Sequence, residues 1–107
     1  MGYQTMTPAE SEARRARGED LLLIDVREPE EFELARVPDA QLLPLSRFHD
    51  WAPALDPSRE TVIMCHHGIR SAQACAALSR LGHKNLHNLA GGIDRWSTEV
   101  DRGVPRY

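Results

Sequence analysis

Cysteine is scarce in this chain. Cys65 and Cys75 are its only two, too few for the disulfide framework that staples small secreted domains. Long apolar runs are missing as well: no stretch approaches the ~18 residues a membrane span needs, and the first residues lack the charged-then-apolar pattern of a secretory leader. The expected address is the cytoplasm, where both cysteines stay thiols. Excess positive charge is also absent. With 13 Lys and Arg against 16 Asp and Glu the formal net charge is -3, which argues against a nucleic-acid surface, because phosphate binding needs clustered cations on a basic domain. The one basic cluster, RRAR at 14–17, reads as a solvated helix face whose charge suits a helix C-terminus. Neither internal repeats nor low-complexity segments occur.

What remains is an ordinary globular composition. The 107 residues, 41% hydrophobic and 27% charged, suffice for one core and predict a single domain over 1–107. TPAE at 7–10 reads as a capping box with Pro8 at the first helical position, opening a helix over 8–17 that Gly18 stops. LLLID at 21–25 and TVIM at 61–64 are continuous apolar runs, the pattern of strands buried on both faces. Between them lie REPEEFELA, a short charged helix or turn, and AQLLPL, a short strand broken by Pro44. SRFHDWAPAL follows, helical from a Ser46 cap but limited by Pro53. SAQACAALSRLG reads as a helix with Ala72, Cys75, Leu78 and Ala76 on its apolar stripe and Gly82 closing it. NLHNL at 85–89 alternates like a strand, Gly91 and Gly92 turn the chain, and IDRWSTEV forms a last helix in which Asp94 caps and Trp96 packs. Strands alternating with helices imply an α/β architecture with a mainly parallel sheet and helices on both faces. Ligands in such folds bind at the carboxyl ends of the strands.

Cys65 stands at one of those ends, and CHHGIR at 65–70 links the strand to the next helix. A loop this tight turns backbone N–H groups inward, from His66 to Arg70, as an anion-binding nest reinforced by the helix dipole. Gly68 can take the positive φ that such a curl needs. A thiol at the bottom of the nest is expected to ionise readily, because the nest favours the thiolate. Arg70 brings a fixed charge and a planar fork of donors. His66 and His67 line the mouth, as ligand-facing groups or as plain exposed loop residues. Asp25 and Arg27, at the end of the first apolar strand, read as an ion pair that pins the strand to a neighbouring loop, with Arg27 also placed to strengthen the field around Cys65. Cys75, on a helix stripe, reads as a packing residue.

CHHGIRS after a strand resembles the active-site loop of rhodanese-type sulfurtransferases. LIDVREPEEF at 23–32 resembles the Asp-x-Arg segment that this family carries after an early strand, and NLAGGIDRW at 88–96 its closing Gly-Gly helix motif. One segment departs: ARVPDAQLLPL at 35–45 stands where the family usually has Gly-His-Ile-Pro-Gly-Ala, so Arg36 and Asp39 replace the histidine and the second glycine. The resemblance implies a single rhodanese-like domain with a central, mainly parallel five-stranded sheet. It implies a thiosulfate sulfurtransferase that needs no cofactor and no metal. Cys65 would be the nucleophile that carries a persulfide, His66, His67, Gly68, Ile69 and Arg70 would contact substrate, and Asp25 and Arg27 would support them. The donor implied is thiosulfate-like and the acceptor cyanide or a thiol, with the cellular partner left open among a thioredoxin-like thiol, glutathione and a sulfur-carrier protein.

Three rival readings remain beside this one. Cysteine-based phosphatases and arsenate reductases related in fold use C-x5-R, whereas only four residues, His66 to Ile69, separate Cys65 from Arg70 here; the smaller ring suits one sulfur atom better than a phosphoryl group. Zinc held by Cys65, His66, His67, His83 and His87 is disfavoured by the poor chelate geometry of adjacent Cys-His-His. A non-catalytic or sulfur-carrier docking module of the same fold is the remaining alternative.

Overall fold

The computed structural model describes residues 2–107. Five strands form one all-parallel sheet in the order β1 (Gln4–Met6), β5 (Leu86–Leu89), β4 (Thr61–Met64), β2 (Leu22–Asp25), β3 (Gln41–Leu42). The two central runs, β2 and β4, are apolar at almost every position because helices cover both faces of the sheet. Leu23, Val62, Met64 and Leu89 point to one face, where they pack with Ile93 and Trp96 of α5 (Gly92–Glu99). Ile24, Ile63 and Leu86 point to the other, against Ala74, Cys75 and Leu78 of α4 (Ile69–Arg80) and Trp51 of α3 (Phe48–Trp51). This alternation has a consequence for the residue after β4. Met64 faces α5, so Cys65 turns to the α4 side. No described helix is long and apolar enough to cross a membrane.

The capping box at 7–10 forms as its sequence predicts: Glu10 N–H donates to Thr7 Oγ1 and Thr7 N–H to Glu10 Oε1, each at 3.1 Å, at the start of α1 (Pro8–Ala16). Of the arginines that follow, Arg17 is exposed while Arg14 and Arg15 are half-buried and paired, Arg14 gripping Glu60 through both terminal nitrogens and Arg15 reaching Asp39. REPEEFELA folds into α2 (Pro29–Leu34). Three expectations change, one of them in α5: Asp94 does not cap that helix, whose N-cap is Gly91, but accepts from Arg106 at 2.9 and 3.1 Å. The segment after β3 is not one helix from a Ser46 cap but a 3-10 turn at Leu45–Arg47, the single-turn α3 and a second 3-10 turn at Ala52–Ala54. Ser46 instead donates its hydroxyl to Glu28 at 2.8 Å, and Pro53, lacking an N–H, blocks a longer helix. The stripe of α4, whose first residue is Ile69, runs through Ser71, Ala74, Cys75 and Leu78, with Ala72 and Ala76 only half-buried, because Ser71 faces inward to Cys65 and Asn88 and sets the buried side of the helix. β1 was not legible at all: QTM is too short for a period to show.

Asp39 has φ +72, a left-handed conformation that Asp tolerates better than most residues. It stands where the resembled family usually has glycine, so the backbone shape survives the substitution. Arg36 lays its guanidinium 4.3 Å from the centre of the Phe32 ring.

Asp25 and Arg27 both have no exposed side-chain surface, and their pair is saturated. Asp25 accepts from the Arg27 N–H, Nε and Nη2 at 3.0, 3.0 and 2.7 Å. The other guanidinium hydrogens go to the carbonyls of Ala35 and Glu31 and to the Tyr107 hydroxyl. All five donors of the guanidinium are therefore used inside the protein. The pair joins the end of β2 to α2 and to the segment after α5, which is the pinning role its sequence position suggests. Arg27→Ala leaves the buried Asp25 carboxylate without its charged partner, with only the backbone N–H at 27 still donating to it, and is expected to lower unfolding free energy by about 3–5 kcal/mol, measured by urea denaturation; a loss under about 1 kcal/mol would contradict this account.

Candidate functional site

The chain turns sharply at Cys65 because both ends of the turn are tied. Ile93 N–H donates to the Cys65 carbonyl at 2.9 Å and Asp94 N–H to the His66 carbonyl at 3.2 Å, so the first amides of α5, which have no partner within the helix, hold the two carbonyls. With the carbonyls turned toward α5, the amides that follow curl toward the cysteine sulfur. Gly68 N–H approaches Sγ at 3.1 Å and Ser71 N–H at 3.4 Å. The nest is thus narrower than the stretch from His66 to Arg70 suggests: the two amides bonded to sulfur are those of Gly68 and Ser71. Gly68, at φ +109, is the N-cap of α4, and its conformation lets the loop close on the sulfur.

Beside the sulfur itself, two residues had no expected role. Ser71 Oγ lies 3.3 Å from Sγ and donates to Asn88 Oδ1 at 2.5 Å, while Asn88 Nδ2 donates to the Gly68 carbonyl at 3.1 Å. With its own hydrogen on Asn88, the Ser71 oxygen is an acceptor toward a Cys65 thiol. When the sulfur is an anion, that hydroxyl can rotate and donate to it instead. The CHHGIRS motif contains Ser71, and its place in the first turn of α4 was the available signal. Asn88 opens the NLAGGIDRW stretch, but as a polar position in a short alternating strand it had nothing to direct it at the sulfur.

The mouth of the loop is built from rings and charges. His66 stacks on His67 at 3.9 Å between centroids and on Tyr107 at 4.0 Å, the latter pair 9° from parallel. Burial, and then the neighbouring His67, pull the His66 imidazole below its ordinary value, so at neutral pH it adds a ring and not a cation. Its Nε2 is buried without a partner. Ile69 is 73% exposed and projects its side chain from the first position of α4. Arg70 pairs through both terminal nitrogens with Glu31 of α2, at 2.7 and 2.8 Å. The Arg70 fork holds the Glu31 carboxyl down at about 2, against an ordinary 4.5. Cys65 itself is only 1% exposed. Cys75 is fully buried on the α4 stripe, where burial pushes its thiol up to about 12; it is a packing residue with no standing nucleophilicity.

The remaining histidines lie apart. His83 and His87 line, with Glu60 and Lys84, a concavity of about 480 Å³ at the amino ends of the strands, the opposite end of the sheet from Cys65. His87 Nε2 is bonded to Glu60 at 2.7 Å. Among the described residues no three His, Cys, Asp or Glu side chains converge as a metal site.

The sequence matches the rhodanese-like domain family over residues 7–99. A sulfurtransferase of Allochromatium vinosum is 40% identical over 84 residues, covering 78% of each chain. Thiosulfate sulfurtransferase GlpE of Pseudomonas syringae pv. syringae is 30% identical over 96 residues, covering 90% of this chain and 89% of that one. Other relatives are much longer: this chain spans 30% of a chloroplastic rhodanese-like/PpiC domain-containing protein of Arabidopsis thaliana that is 42% identical over 89 residues. Among solved structures, a rhodanese-like domain protein from Staphylococcus aureus superposes with a TM-score of 0.83 at 25% identity, covering 97% of this chain and 98% of that one.

Gly92 offers a direct check on the turn. A Cβ there would sit 2.4 Å from the Cys65 carbonyl oxygen and 2.5 Å from that of His66, at φ +60. Gly92→Ala is expected to cost at least about 2 kcal/mol from the backbone conformation and the contact together, and to change the reactivity of Cys65 toward an alkylating agent even where the fold persists. Denaturation and alkylation rates measure the two effects; wild-type values for both would contradict the clamp.

Proposed function

Because the chain belongs to the rhodanese-like domain family, whose members here include sulfurtransferases, we propose that it moves sulfane sulfur through a persulfide on Cys65. One observation carries the reading: the Cys65 sulfur accepts N–H bonds from Gly68 and Ser71 at the N-terminus of α4, a preorganised set of donors aimed at an anionic sulfur. The Cys65 thiolate attacks the outer sulfur of a donor such as thiosulfate. A new S–S bond forms, the donor's own S–S bond breaks, and its electron pair departs with sulfite. An acceptor, cyanide or a thiol, then attacks the outer sulfur of the persulfide; thiocyanate or a new persulfide leaves and the thiolate is restored. This is covalent catalysis with ping-pong kinetics.

The other residues take roles around that exchange. The Gly68 and Ser71 amides hold the charge of the persulfide, with Ser71 Oγ able to add a third donor. Arg70 receives the oxyanionic end of the donor. The His66 and His67 rings, with Gly68 and Ile69, form the rim against which donor and acceptor rest. Asp25 and Arg27 act as support, holding α2 in place. Such chemistry belongs to a reducing compartment such as the cytoplasm, where a thioredoxin-like thiol or a sulfur-carrier protein can serve as acceptor.

Intact mass after mixing with thiosulfate tests the reading. A gain of one sulfur atom is expected in the wild type and in Cys75→Ser, and none in Cys65→Ser; no gain with any sulfane donor favours a docking module of the same fold. Arg70→Ala is expected to lower kcat/KM for thiosulfate by roughly 10–100-fold, the weight of one charge-assisted contact, while the loss of its half-exposed pair with Glu31 lowers the melting temperature by only a few degrees. Equal losses in activity and stability would contradict a role in donor binding.

A further inference from the structure

The Arg70 fork is occupied by a carboxylate of the protein's own. Oε2 and Oε1 of Glu31 sit 2.7 and 2.8 Å from its two terminal nitrogens, the two-pronged geometry in which arginine takes carboxylates and other oxyanions. Nor is Glu31 a wandering surface partner. The Glu28 N–H donates to Oε2 at 3.0 Å and the Tyr107 hydroxyl to Oε1 at 3.0 Å, and its side chain is 21% exposed. Tyr107 is fixed in turn, accepting from Arg27 at 2.7 Å and stacking on His66. Four donors thus converge on one carboxylate beside the loop that holds Cys65.

A donor with a sulfonate end competes for the same fork. Resting on the sulfur-transfer reading above, we propose that Glu31 is a specificity-determining residue: it fills the oxyanion site of Arg70, so a doubly charged donor such as thiosulfate must displace it, and the site favours sulfur donors of lower charge. Glu31 cancels the Arg70 charge, and when displaced it stays nearby as an anion held by Glu28 and Tyr107. Two negative charges on a small donor feel that repulsion more than a single charge on an organic thiosulfonate, whose binding leans on the apolar rim at Ile69 and the His66 ring. Glu31 acts on the donor through Arg70, as a positioning residue.

The test compares thiosulfate, a dianion, with an arylthiosulfonate, a monoanion, in the wild type and in Glu31→Gln. The expected result is a roughly tenfold lower KM for thiosulfate, equivalent to about 1.4 kcal/mol, with kcat little changed and the arylthiosulfonate KM moved by less than about twofold. Glu31→Asp, which keeps the charge, should stay near wild type. Tyr107→Phe removes one donor to Glu31 and keeps the ring, so it should shift the thiosulfate KM the same way by a smaller factor; it carries the test if Glu31→Gln does not fold. Parallel changes in both KM values, or a higher thiosulfate KM, overturn the proposal. Calorimetric titration of thiosulfate into Cys65→Ser, with and without Glu31→Gln, separates this claim from the transfer reading. Tighter binding in the double variant upholds the role of Glu31 even if no sulfur reaches Cys65, and unchanged or undetectable binding in both sinks it.

Discussion

Two hydrogen bonds from the start of α5 to the carbonyls of Cys65 and His66 set the geometry on which the site depends. A helix N-terminus has amides to spare, and here α5 gives them to the loop's carbonyls. The amides of the loop and of the first turn of α4 are thereby left to face the sulfur. Two helix N-termini divide the polar groups of one short turn between them, α5 taking acceptors and α4 supplying donors. The arrangement requires that nothing stand between α5 and the loop, which is why Gly92, at φ +60 with the two carbonyl oxygens where its Cβ would be, cannot carry a side chain without a shift. The Gly-Gly turn is therefore part of the site, although it lies 27 residues after Cys65 in the chain.

The sheet delivers the cysteine to this place by simple alternation. Once β4 is buried on both faces, the side of each residue follows from its parity: Met64 to α5, Cys65 to α4. On the α4 side Cys65 is part of the buried apolar cluster that also holds Ala74 and Cys75, and the two amides and Ser71 Oγ are the sulfur's polar partners. A negative charge there gains more from each dipole than it would in water.

Much of this was legible in the chain. The apolar runs at 22–25 and 61–64, the capping box at Thr7 and the cysteine loop ahead of a helix were all written in local pattern, because each depends on residues close together. The misses share the opposite trait. β1 exists because β5 offers it an edge, and Ser46 is drawn from a capping position by Glu28; neither partner is near in sequence. The site divides the same way. Cys65, Gly68 and Arg70 announce themselves within six residues, and Asp25 with Arg27 within three. Glu31 reaches Arg70 from 39 residues away, Asn88 reaches Ser71 from 17, and Tyr107 reaches His66 from 41. One carboxylate among the acids of REPEEF had no mark to single it out before the fold placed it on Arg70.

The charges at the mouth form a graded series, and the grading explains which of them can take part in chemistry. Asp25 and Arg27 have no exposed side-chain surface, whereas Glu31 and Arg70 are 21% and 35% exposed. Breaking the inner pair strands a charge in a medium that solvates it poorly, so that pair stays fixed through any cycle. Arg70 and Glu31 can exchange partners, because water and an incoming oxyanion can replace each contact as it is lost. Tyr107 joins the two pairs with one hydroxyl, accepting from Arg27 and donating to Glu31. The immobile pair therefore anchors the mobile one, and the strength with which Arg70 can be offered to a ligand is set from inside the protein, by how firmly Arg27 and Tyr107 hold Glu31 in place.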